Sequence, residues 1–521
     1  MVKYASIEGM HTQLGFGDRV DDDWALTHIV DEHGKPTDYI CVRNHIEKYD
    51  KLDELLKTKK LIGLSANQNF PQTNINPHEY AFMKSEEHNF LKKYGHKIIL
   101  WCHCFKDPHN YISPGIPLLL LSDSDHYRNV STLYTLSKDK KEKQYDFFCS
   151  LPPGDWNAWI RGVDVARKWL NHMADVMNLK IVVGAGDRRE GFSDKIEFTG
   201  HLPWNLFTEK MNQCKYLFNA SRYDASPRII IEALSLNLPV MLNQDILGGW
   251  KYINKSTGML FFYDEPIDAA VKRFMQRQYT PQKWMELNFD TKKSKQLLSD
   301  TIHRLMSFKY EDFVDGIMFI NLADRPDRHE HMMREFNKAE IPLTLVHRID
   351  AVLDTTCGHL GCSRSHIKAL EYAKEKGWRR FLVFEDDFQF YFPKERILYI
   401  LSEFLKRFET WDVFMFATYW NDVTDTDVNY IKKIKYGTTA SGYMVNRTYA
   451  DTLYNNFKES MILLDKEVEQ FKQTREKPTD RKYTTSYALD AYWFSLQKKD
   501  NFYISEPHLG KQSGIASSTM K

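Results

Sequence analysis

Three consecutive carboxylates follow a short apolar segment in the second half of the chain. Residues 381–384 are Phe, Leu, Val and Phe, and Glu385, Asp386 and Asp387 come directly after them. The apolar residues predict a buried strand, because branched and aromatic side chains suit the interior of a sheet. Adjacent carboxylates repel one another and resist desolvation, so a divalent cation such as Mn²⁺ or Mg²⁺ explains their position. From this segment alone, a solvated acidic turn explains the pattern equally well.

Two arginines follow an earlier predicted strand in the same half of the chain. Residues 316–322 predict the strand, and Arg325 and Arg328 stand at the start of the helix predicted over 329–338. A helix start offers unpaired N–H groups, and arginine binds phosphate oxygens in a bidentate way. The arrangement suits a diphosphate, although ordinary surface charge also explains the two arginines.

A glycine-containing turn is predicted shortly before the acidic strand. Residues 358–366 include Gly361, Ser365 and His366, and a helix is predicted over 367–376. Serine is a common residue at a helix start. Ser365 and His366 therefore either belong to a ligand site or simply cap the helix.

A further polar cluster lies where a strand predicted at 216–220 passes into a helix. Ser226 suits the N-cap of that helix, and Pro227 suits its first position. The start of the helix suits phosphate, and Glu232 lies beyond the first turn, where its carboxylate can accept hydrogen bonds from ribose hydroxyls. A capped core helix with an exposed glutamate is equally consistent with the residues.

Strand-like and helix-like segments alternate in three successive runs, over 1–140, 141–310 and 311–521. This alternation predicts an α/β fold with parallel sheets covered by helices. The first run contains strands predicted at 39–43, 61–65, 97–102 and 116–121 and helices predicted at 45–57 and 78–94. Its acidic residues 21–23 predict a solvated turn or a helix start. Gly15 and Gly17 could form a loop that approaches a ligand, and the main domain boundary is predicted at 308–315.

Composition limits the class of protein. The chain has 521 residues, which suggests roughly two to four domains. Its 71 Lys and Arg balance 70 Asp and Glu, so charge gives no argument for a nucleic-acid partner. Its seven dispersed cysteines are typical of reduced, buried thiols. We find no apolar run of signal-peptide or transmembrane length, so we expect a cytoplasmic protein, viral or bacterial.

The cluster around Glu232 resembles the signature of glycosyltransferase family 4 and its GT-B relatives. Asp224 stands seven intervening residues before Glu232, and a Pro-Val pair follows at 239–240. The resemblance covers roughly 145–300. It implies two Rossmann-like lobes at 1–140 and 141–310, a sugar nucleotide in the cleft, no obligatory metal, and retention of anomeric configuration.

This resemblance also implies residue roles. Glu232 would hold the ribose, Ser226 and Arg228 would lie near the phosphates, and Asp224 would face the sugar. The family usually has Glu where this chain has Asp224, which sets the carboxylate back by one carbon–carbon bond. The N-terminal half is therefore predicted to be either a second transferase or a module that has lost or altered its donor site.

Motifs spanning 316–521 resemble glycosyltransferase family 25, which includes bacterial lipooligosaccharide galactosyltransferases and animal procollagen galactosyltransferases. The matching residues follow the family's order: Asn321, Arg325, Arg328, Gly361, Cys362, Ser365, His366, Glu385, Asp386, Asp387, Gly442, Tyr443, Leu489 and Asp490. The tail at 506–518 resembles the family's C-terminal active-site segment, with His508 and Gln512 as alternatives for its polar role. The resemblance implies a GT-A domain over 311–521, a UDP-sugar donor and a Mn²⁺-like ion.

The predicted chemistry is transfer with inversion. If strand geometry persists, Glu385 and Asp387 point the same way and can bind metal and ribose together, with Asp386 beside the donor. Charge on the leaving diphosphate would be neutralised by the bound cation. A carboxylate must accept the proton of the acceptor hydroxyl, and Asp490, within the aromatic run 487–494, is the predicted base. A helix N-cap is the alternative role for Asp490.

Three functions remain open from the sequence. The leading prediction is a bifunctional glycosyltransferase, in which the C-terminal domain transfers a hexose, most simply galactose, and the N-terminal half transfers a second sugar. The acceptor would be a collagen-like hydroxylysine or a saccharide. In the alternative, only the C-terminal domain is catalytic and the N-terminal half is a binding or docking module. A glycan-binding scaffold without activity is the third prediction.

Overall fold

A computed structural model describes residues 4–7, 19–20, 23–31, 33–43, 49–65, 70–71, 90–138, 142–154, 158–184, 186–473 and 485–513. The predicted loop at Gly15 and Gly17 lies outside these residues. So do the first part of the helix predicted at 45–57 and most of the helix predicted at 78–94. No helix among the described residues is long and apolar enough to cross a membrane.

The chain folds as two compact units. The N-terminal unit comprises Met1–Ile112 and Leu118–His303, and the C-terminal unit comprises Ser113–Pro117 and Arg304–Lys521. The segment predicted as the main boundary, 308–315, lies shortly after the junction between His303 and Arg304.

The first sheet of the N-terminal unit combines a parallel part with an antiparallel edge. Its strands are β1 (Tyr4–Ile7), β2 (Arg19–Val20), β3 (Asp23–Asp31), β4 (Pro36–Val42), β5 (Lys60–Leu64), β6 (Ile98–His103) and β7 (Leu118–Leu120). Strands β4, β5, β6 and β7 are parallel neighbours in that order, as the alternation predicts. Strands β1 and β2 pair antiparallel with β3, which pairs antiparallel with β4. Asp23 begins β3, so the turn or helix start predicted there is wrong at that residue.

The second sheet of the N-terminal unit is parallel throughout its described strands. They are β8 (Tyr145–Ser150), β9 (Ile181–Gly184), β10 (Glu197–Phe198), β11 (Cys214–Asn219), β12 (Val240–Asn243) and β13 (Gly258–Phe261), in the order β10-β9-β8-β11-β12-β13. Phe147 and Phe148 are neighbours on β8 and belong to different hydrophobic cores. Both faces of this sheet are therefore covered, which explains its nearly continuous apolar strands.

Helices follow the strands of the N-terminal unit, and the last of them, Thr291–Ser307, ends four residues beyond His303. Their bounds are α1 (Asp50–Leu55), α2 (Phe90–Tyr94), α3 (Val130–Lys138), α4 (Val163–Asp175), α5 (Trp204–Asn212), α6 (Arg228–Ser235), α7 (Ile267–Met275), α8 (Pro281–Asn288) and α9 (Thr291–Ser307). Helix α6 begins at Arg228 with Pro227 as its N-cap, one residue later than predicted. Ser226 precedes that cap, so its predicted role as the N-cap is wrong. Its hydroxyl instead accepts a hydrogen bond from the N–H of Ser124.

The C-terminal unit contains a mixed sheet and a small ribbon. The strands are β14 (Gly316–Asn321), β15 (Val346–Asp350), β16 (Arg380–Glu385), β17 (Phe388–Phe390), β18 (Val413–Met415), β19 (Tyr419–Asp425), β20 (Ile431–Thr438), β21 (Gly442–Asn446), β22 (Phe502–Ser505) and β23 (Gly510–Gln512). The sheet order is β15-β14-β16-β21-β18-β22-β20-β19, and β17 pairs with β23. Strands β15, β14 and β16 are parallel, whereas β21 runs antiparallel to β16. The predicted α/β class is confirmed for both units.

Helices cover both faces of this mixed sheet. They are α10 (Pro326–Lys338), α11 (Gly358–Lys376), α12 (Lys394–Arg407), α13 (Arg447–Gln473), α14 (Leu489–Tyr492) and α15 (Phe494–Lys499). Helix α11 already begins at Gly358. Gly361, Ser365 and His366 therefore lie inside this helix, and the turn predicted at 358–366 is wrong.

Candidate active site

The three consecutive acids lie at the carboxyl end of β16, inside the mixed sheet. Strand β16 pairs with β14 on one side and β21 on the other, and its residues 381–384 are buried. Beyond the acids, the ring of Phe388 packs against Gly442 and Gly510. A Cβ atom at these glycines would lie 2.6 Å and 2.2 Å from that ring, so larger residues would displace it. The buried strand before the three acids and the packed ring of Phe388 after them thus hold the acidic turn in position.

The middle acid, Asp386, is neutralised by protein groups. It is buried, and its carboxylate accepts a hydrogen bond of 2.8 Å from the amide of Asn321 and one of 2.5 Å from Arg328. The second terminal nitrogen of Arg328 lies 3.5 Å from Asp387. Arg328 is itself buried, so it holds the acidic turn in place. Its guanidinium contacts both acids, and its predicted role toward a diphosphate stays a prediction.

Arg325 forms a local ion pair. It is the N-cap residue of α10, and its guanidinium donates bidentate hydrogen bonds of 2.9 Å and 2.7 Å to Asp327. Asn321, besides holding Asp386, accepts a hydrogen bond of 3.1 Å from Arg348. A donor-binding role for Arg325 and Asn321 stays a prediction.

Glu385 lies against helix α11. Its Oε1 atom is 3.3 Å from Nε2 of His366 and 3.6 Å from Sγ of Cys362. Burial alone would raise the pKa of Glu385, but the hydrogen bond and charge of His366 hold it below its ordinary value. The other ring nitrogen of His366 is 2.8 Å from the hydroxyl of Tyr443, which fixes the orientation of the ring. Glu385 is therefore held as a carboxylate beside a histidine and a thiol.

Asp387 has a carboxylate oxygen that no described residue satisfies. Its side chain is only 6% exposed, and its Oδ1 atom has no hydrogen-bond partner among the described residues. Burial raises the pKa of Asp387 to about 7, and the negative charge of Glu385 adds to this shift. A buried carboxylate oxygen without a partner costs free energy, and a divalent cation would supply that partner. The unsatisfied oxygen of Asp387 thus fits the predicted Mn²⁺ or Mg²⁺ site, and the part of Glu385 in that site stays a prediction.

A hydrogen-bond chain connects Asp387 to the predicted base. Gln512 donates a hydrogen bond of 3.2 Å to Asp387, and its side-chain oxygen is 3.4 Å from the hydroxyl of Thr439. The backbone N–H of Thr439 donates a hydrogen bond of 2.9 Å to Asp490. Thr439 has a φ of 77°, a strained conformation for a β-branched residue. The N–H and the hydroxyl of Thr439 thus link Asp490 to Gln512.

Asp490 lies in the first turn of α14, and Ala488 is the N-cap residue. Burial raises the pKa of Asp490, and the nearby negative charge of Glu385 contributes in the same direction. A raised carboxyl pKa suits a group that accepts a proton near neutral pH.

Gly361 and Ser365 serve the packing of helix α11. The hydroxyl of Ser365 donates a hydrogen bond of 2.6 Å to the carbonyl of Gly361 and accepts one of 2.8 Å from the N–H of Val352. A Cβ atom at position 361 would lie 2.5 Å from the carbonyl oxygen of Val352. These contacts set the position of the helix that carries Cys362 and His366. A direct donor contact by Gly361 or Ser365 stays a prediction.

Sequence reasoning underrated two residues of this site. Gln512 was one of two alternatives in the tail, and its position opposite Phe388 in the β17–β23 ribbon brings it to Asp387. His508, the other alternative, is buried, and burial lowers its pKa to about 4. Thr439 carries no motif, and only its unusual φ distinguishes it.

The predicted phosphate cluster of the N-terminal unit is linked internally. Asp224 forms an ion pair with Arg161 and accepts a hydrogen bond of 3.2 Å from the N–H of Ser226. The hydroxyl of Ser226 accepts a hydrogen bond of 2.8 Å from the N–H of Ser124. Burial lowers the pKa of Arg161 to about 10, and the neighbouring charge of Arg228 contributes. Arg228 and Asp224 thus lie in one charged cluster, and their roles toward a sugar nucleotide stay predictions.

Glu232 is also engaged by the protein. It is 7% exposed, and its Oε1 atom accepts a hydrogen bond of 2.6 Å from Tyr127 and one of 3.0 Å from Trp204. The alternative of an exposed glutamate is wrong, because both neighbours cover this carboxylate. The hydroxyl of Tyr127 donates a hydrogen bond to the Glu232 carboxylate. This is the group that we predicted would accept a hydrogen bond from a ribose hydroxyl.

Comparison with known proteins gives distant similarities. No family profile matches the chain. Solved structures that align with it include the GtfA/B complex, at 13% identity and a TM-score of 0.33. That alignment covers 48% of this chain and 54% of the other chain. The pneumococcal O-GlcNAc transferase GtfA in complex with UDP and GlcNAc aligns with 11% identity, coverage of 56% and 70%, and a TM-score of 0.32.

A third alignment is with WaaG, a glycosyltransferase involved in lipopolysaccharide biosynthesis. It has 13% identity, covers 49% of this chain and 77% of that chain, and has a TM-score of 0.30. The chain thus spans about half of the GtfA/B chain and larger parts of the other two. At this distance the chain is similar to structures that include an O-GlcNAc transferase and a glycosyltransferase.

Proposed function

We propose that the C-terminal unit is a metal-dependent glycosyltransferase that transfers a hexose, galactose, from a UDP-sugar with inversion. The observation that carries the proposal is the buried, unsatisfied Oδ1 atom of Asp387 beside Glu385, within the part of the chain that the structure describes. Asn321 and Arg328 hold the carboxylate of Asp386, so the Oδ1 atom of Asp387 is left to bind a ligand. The order of motifs resembling family 25 supports the choice of donor.

Glu385 and Asp387 would hold the cation, and their oxygen ligands suit Mn²⁺ or Mg²⁺. When bound, such a cation neutralises charge on the diphosphate. Arg328 fixes Asp386 and Asp387, while His366 fixes Glu385. The protein thus pre-orients both carboxylates before the donor arrives, which reduces the reorganisation needed for the reaction.

Asp490 accepts the proton of the acceptor hydroxyl. The N–H of Thr439 orients its carboxylate with a hydrogen bond of 2.9 Å, and burial raises its pKa. The acceptor oxygen then bonds to the anomeric carbon as the bond to the diphosphate breaks, so the configuration inverts. A saccharide or a collagen-like hydroxylysine supplies the hydroxyl in this proposal.

The N-terminal unit has a different proposed role, that of a binding or docking module. Tyr127 and Trp204 occupy the carboxylate of Glu232, and Ser124 occupies the hydroxyl of Ser226. Both side chains are those that the family 4 resemblance gives to a sugar nucleotide. This arrangement favours a single catalytic unit over the bifunctional prediction.

A screen of UDP- and GDP-sugars against the intact chain, with and without Mn²⁺, tests the proposal. We expect transfer or hydrolysis of a UDP-hexose that requires Mn²⁺ and is lost in EDTA. Activity that persists undiminished in EDTA, or that uses only GDP-sugars, would contradict it.

A further inference from the structure

Helix α11 brings a thiol and an imidazole to the end of strand β16. Cys362 and His366 are four residues apart, so they lie on one face of the helix. Sγ of Cys362, Nε2 of His366 and Oε1 of Glu385 all lie within 4.8 Å of one another. Such a set of sulfur, nitrogen and oxygen atoms is typical of sites for thiophilic divalent cations.

The distances in this cluster match those between ligands of one metal ion. In a tetrahedral Zn²⁺ site with ordinary bond lengths, a sulfur and an oxygen ligand lie about 3.5 Å apart, and a nitrogen and an oxygen ligand about 3.3 Å apart. The observed distances from Oε1 of Glu385 are 3.6 Å to Cys362 and 3.3 Å to His366. Little movement of the side chains is therefore needed for them to surround a cation.

His366 also has the outer partner that metal-binding histidines usually have. Its Nδ1 atom lies 2.8 Å from the hydroxyl of Tyr443, and the ring is buried. When Nδ1 donates a hydrogen bond to Tyr443 and Nε2 carries no proton, the lone pair of Nε2 faces Cys362 and Glu385. A hydrogen bond of this kind fixes both the tautomer and the ring orientation of a metal ligand.

We propose that Cys362, His366 and Glu385 form a second metal site, which binds Zn²⁺ or another thiophilic divalent cation. Metal–sulfur, metal–nitrogen and metal–oxygen bonds form at this site. The thiol of Cys362 releases its proton, as does Nε2 of His366 where it is protonated, and no oxidant or reductant takes part.

One consequence rests on the proposed function. Glu385 is a member of both sites, so Zn²⁺ bound at the second site withdraws Glu385 from the Mn²⁺ or Mg²⁺ site. Zn²⁺ is therefore an inhibitor of the transferase rather than a substitute for Mn²⁺.

Co²⁺ titration of the intact, metal-free chain tests the site without reference to activity. Thiolate ligation of Co²⁺ gives an intense absorption in the near ultraviolet, and Zn²⁺ abolishes that absorption by displacing Co²⁺. We expect the absorption in the wild type and in Cys357→Ala, a control thiol at the N-cap of the same helix. We expect its loss in Cys362→Ala, and an affinity about 10- to 100-fold lower in Tyr443→Phe.

The site would be overturned by an absorption that persists in Cys362→Ala or is missing from the wild type. X-ray absorption of the zinc-loaded wild type decides the matter even if Cys362→Ala does not fold. It should show one sulfur at about 2.3 Å and lighter ligands at about 2.0–2.2 Å, whereas a shell without sulfur contradicts the proposal.

Zn²⁺ inhibition separates this inference from the proposed function. Mn²⁺-dependent transfer that is unaffected by Zn²⁺, with no Co²⁺ absorption, contradicts the second site alone. A normal Co²⁺ spectrum in a chain without any transferase activity supports the second site and contradicts only the proposed function.

Discussion

The hydroxyl of Tyr127 donates a hydrogen bond to the carboxylate of Glu232, with 2.6 Å between the two oxygens. The two residues are 105 positions apart in the sequence. Tyr127 lies three residues after Ser124, whose N–H donates a hydrogen bond to Ser226. Burial raises the pKa of Tyr127, and the charge of Glu232 raises it further, so the phenol keeps its proton. A ribose hydroxyl would have to displace this bond to reach the carboxylate.

We predict that the intact chain binds one UDP per molecule in the presence of Mn²⁺. Glu232→Gln should leave this stoichiometry unchanged, because its carboxylate is already occupied by Tyr127 and Trp204. Isothermal titration calorimetry measures the number of sites directly. Two UDP sites, one of them lost in Glu232→Gln, would show instead that the N-terminal unit binds a nucleotide.

Arg328→Met should destabilise the C-terminal unit by about 3–5 kcal/mol, because it leaves two buried carboxylates without the guanidinium that both of them contact. Arg328 is buried and contacts Asp386 and Asp387. Urea unfolding, followed by tryptophan fluorescence and circular dichroism, measures the change in the free energy of unfolding.

Arg334→Met is the matched control, on the same helix α10. Arg334 is 68% exposed and pairs with Glu330 over 3.7 Å, so its removal should cost no more than about 1 kcal/mol. Equal effects of the two substitutions would contradict the role of Arg328 as the group that holds the acidic turn.

Asp490→Asn should lower kcat by about 100- to 10,000-fold, because an amide cannot accept the proton of the acceptor hydroxyl. Its side-chain oxygen can still accept the hydrogen bond from Thr439, so the local structure should persist. Steady-state kinetics should show little change in the KM for the UDP-sugar. The acidic limb of the pH–kcat profile should disappear, since it reports protonation of Asp490. A KM effect with unchanged kcat would assign Asp490 a binding role instead.

The N-terminal unit should lose stability as pH falls from about 6.5 to about 4. Burial lowers the pKa of His126 from 6.5 to about 4, and neither ring nitrogen has a hydrogen-bond partner in the described structure. Below pH 6.5 the unfolded state takes up a proton that the folded imidazole does not. The contribution of His126 to this loss is about 3 kcal/mol once the pH reaches the folded pKa.

Unfolding midpoints in urea at pH 7 and at pH 4.5 measure this effect. His126→Leu should reduce the difference between the two pH values, whereas His109→Leu, at an exposed position, should leave it as in the wild type. An acid sensitivity that is the same in His126→Leu and the wild type would contradict the role of His126.

Local sequence patterns were sufficient to predict the acidic end of β16. Apolar residues at 381–384 are enough to place a buried strand, and its carboxyl end then carries Glu385. Proteins also depend on contacts between distant residues, which local patterns do not contain. Gln512 reaches Asp387 across 125 residues of sequence, and Tyr127 reaches Glu232 across 105.

The start of helix α11 shows a second limit. Gly361 and Ser365 are typical of a turn or a helix cap, yet both lie inside the helix. The close approach of the Val352 carbonyl explains the glycine, and the hydrogen bond to the Gly361 carbonyl occupies the serine hydroxyl. The Val352 contact is a tertiary contact that the local sequence does not contain. The residue types alone therefore favoured a turn where the protein has a helix.

Transfer assays on Asp387→Asn test the metal-dependent activity of the C-terminal unit most directly. Asp387→Asn keeps the shape of a side chain that is 6% exposed but removes the charge that would bind the cation. Asp465→Asn, at a position 52% exposed on α13, is the control. We predict that only Asp387→Asn loses Mn²⁺-dependent transfer from the UDP-hexose. The loss should exceed the about 10- to 100-fold that is typical when a residue next to a metal ligand, rather than the ligand itself, is replaced. If the Asp387→Asn variant transfers the hexose in Mn²⁺ as fast as the wild type, that result would contradict a catalytic metal site at the end of β16.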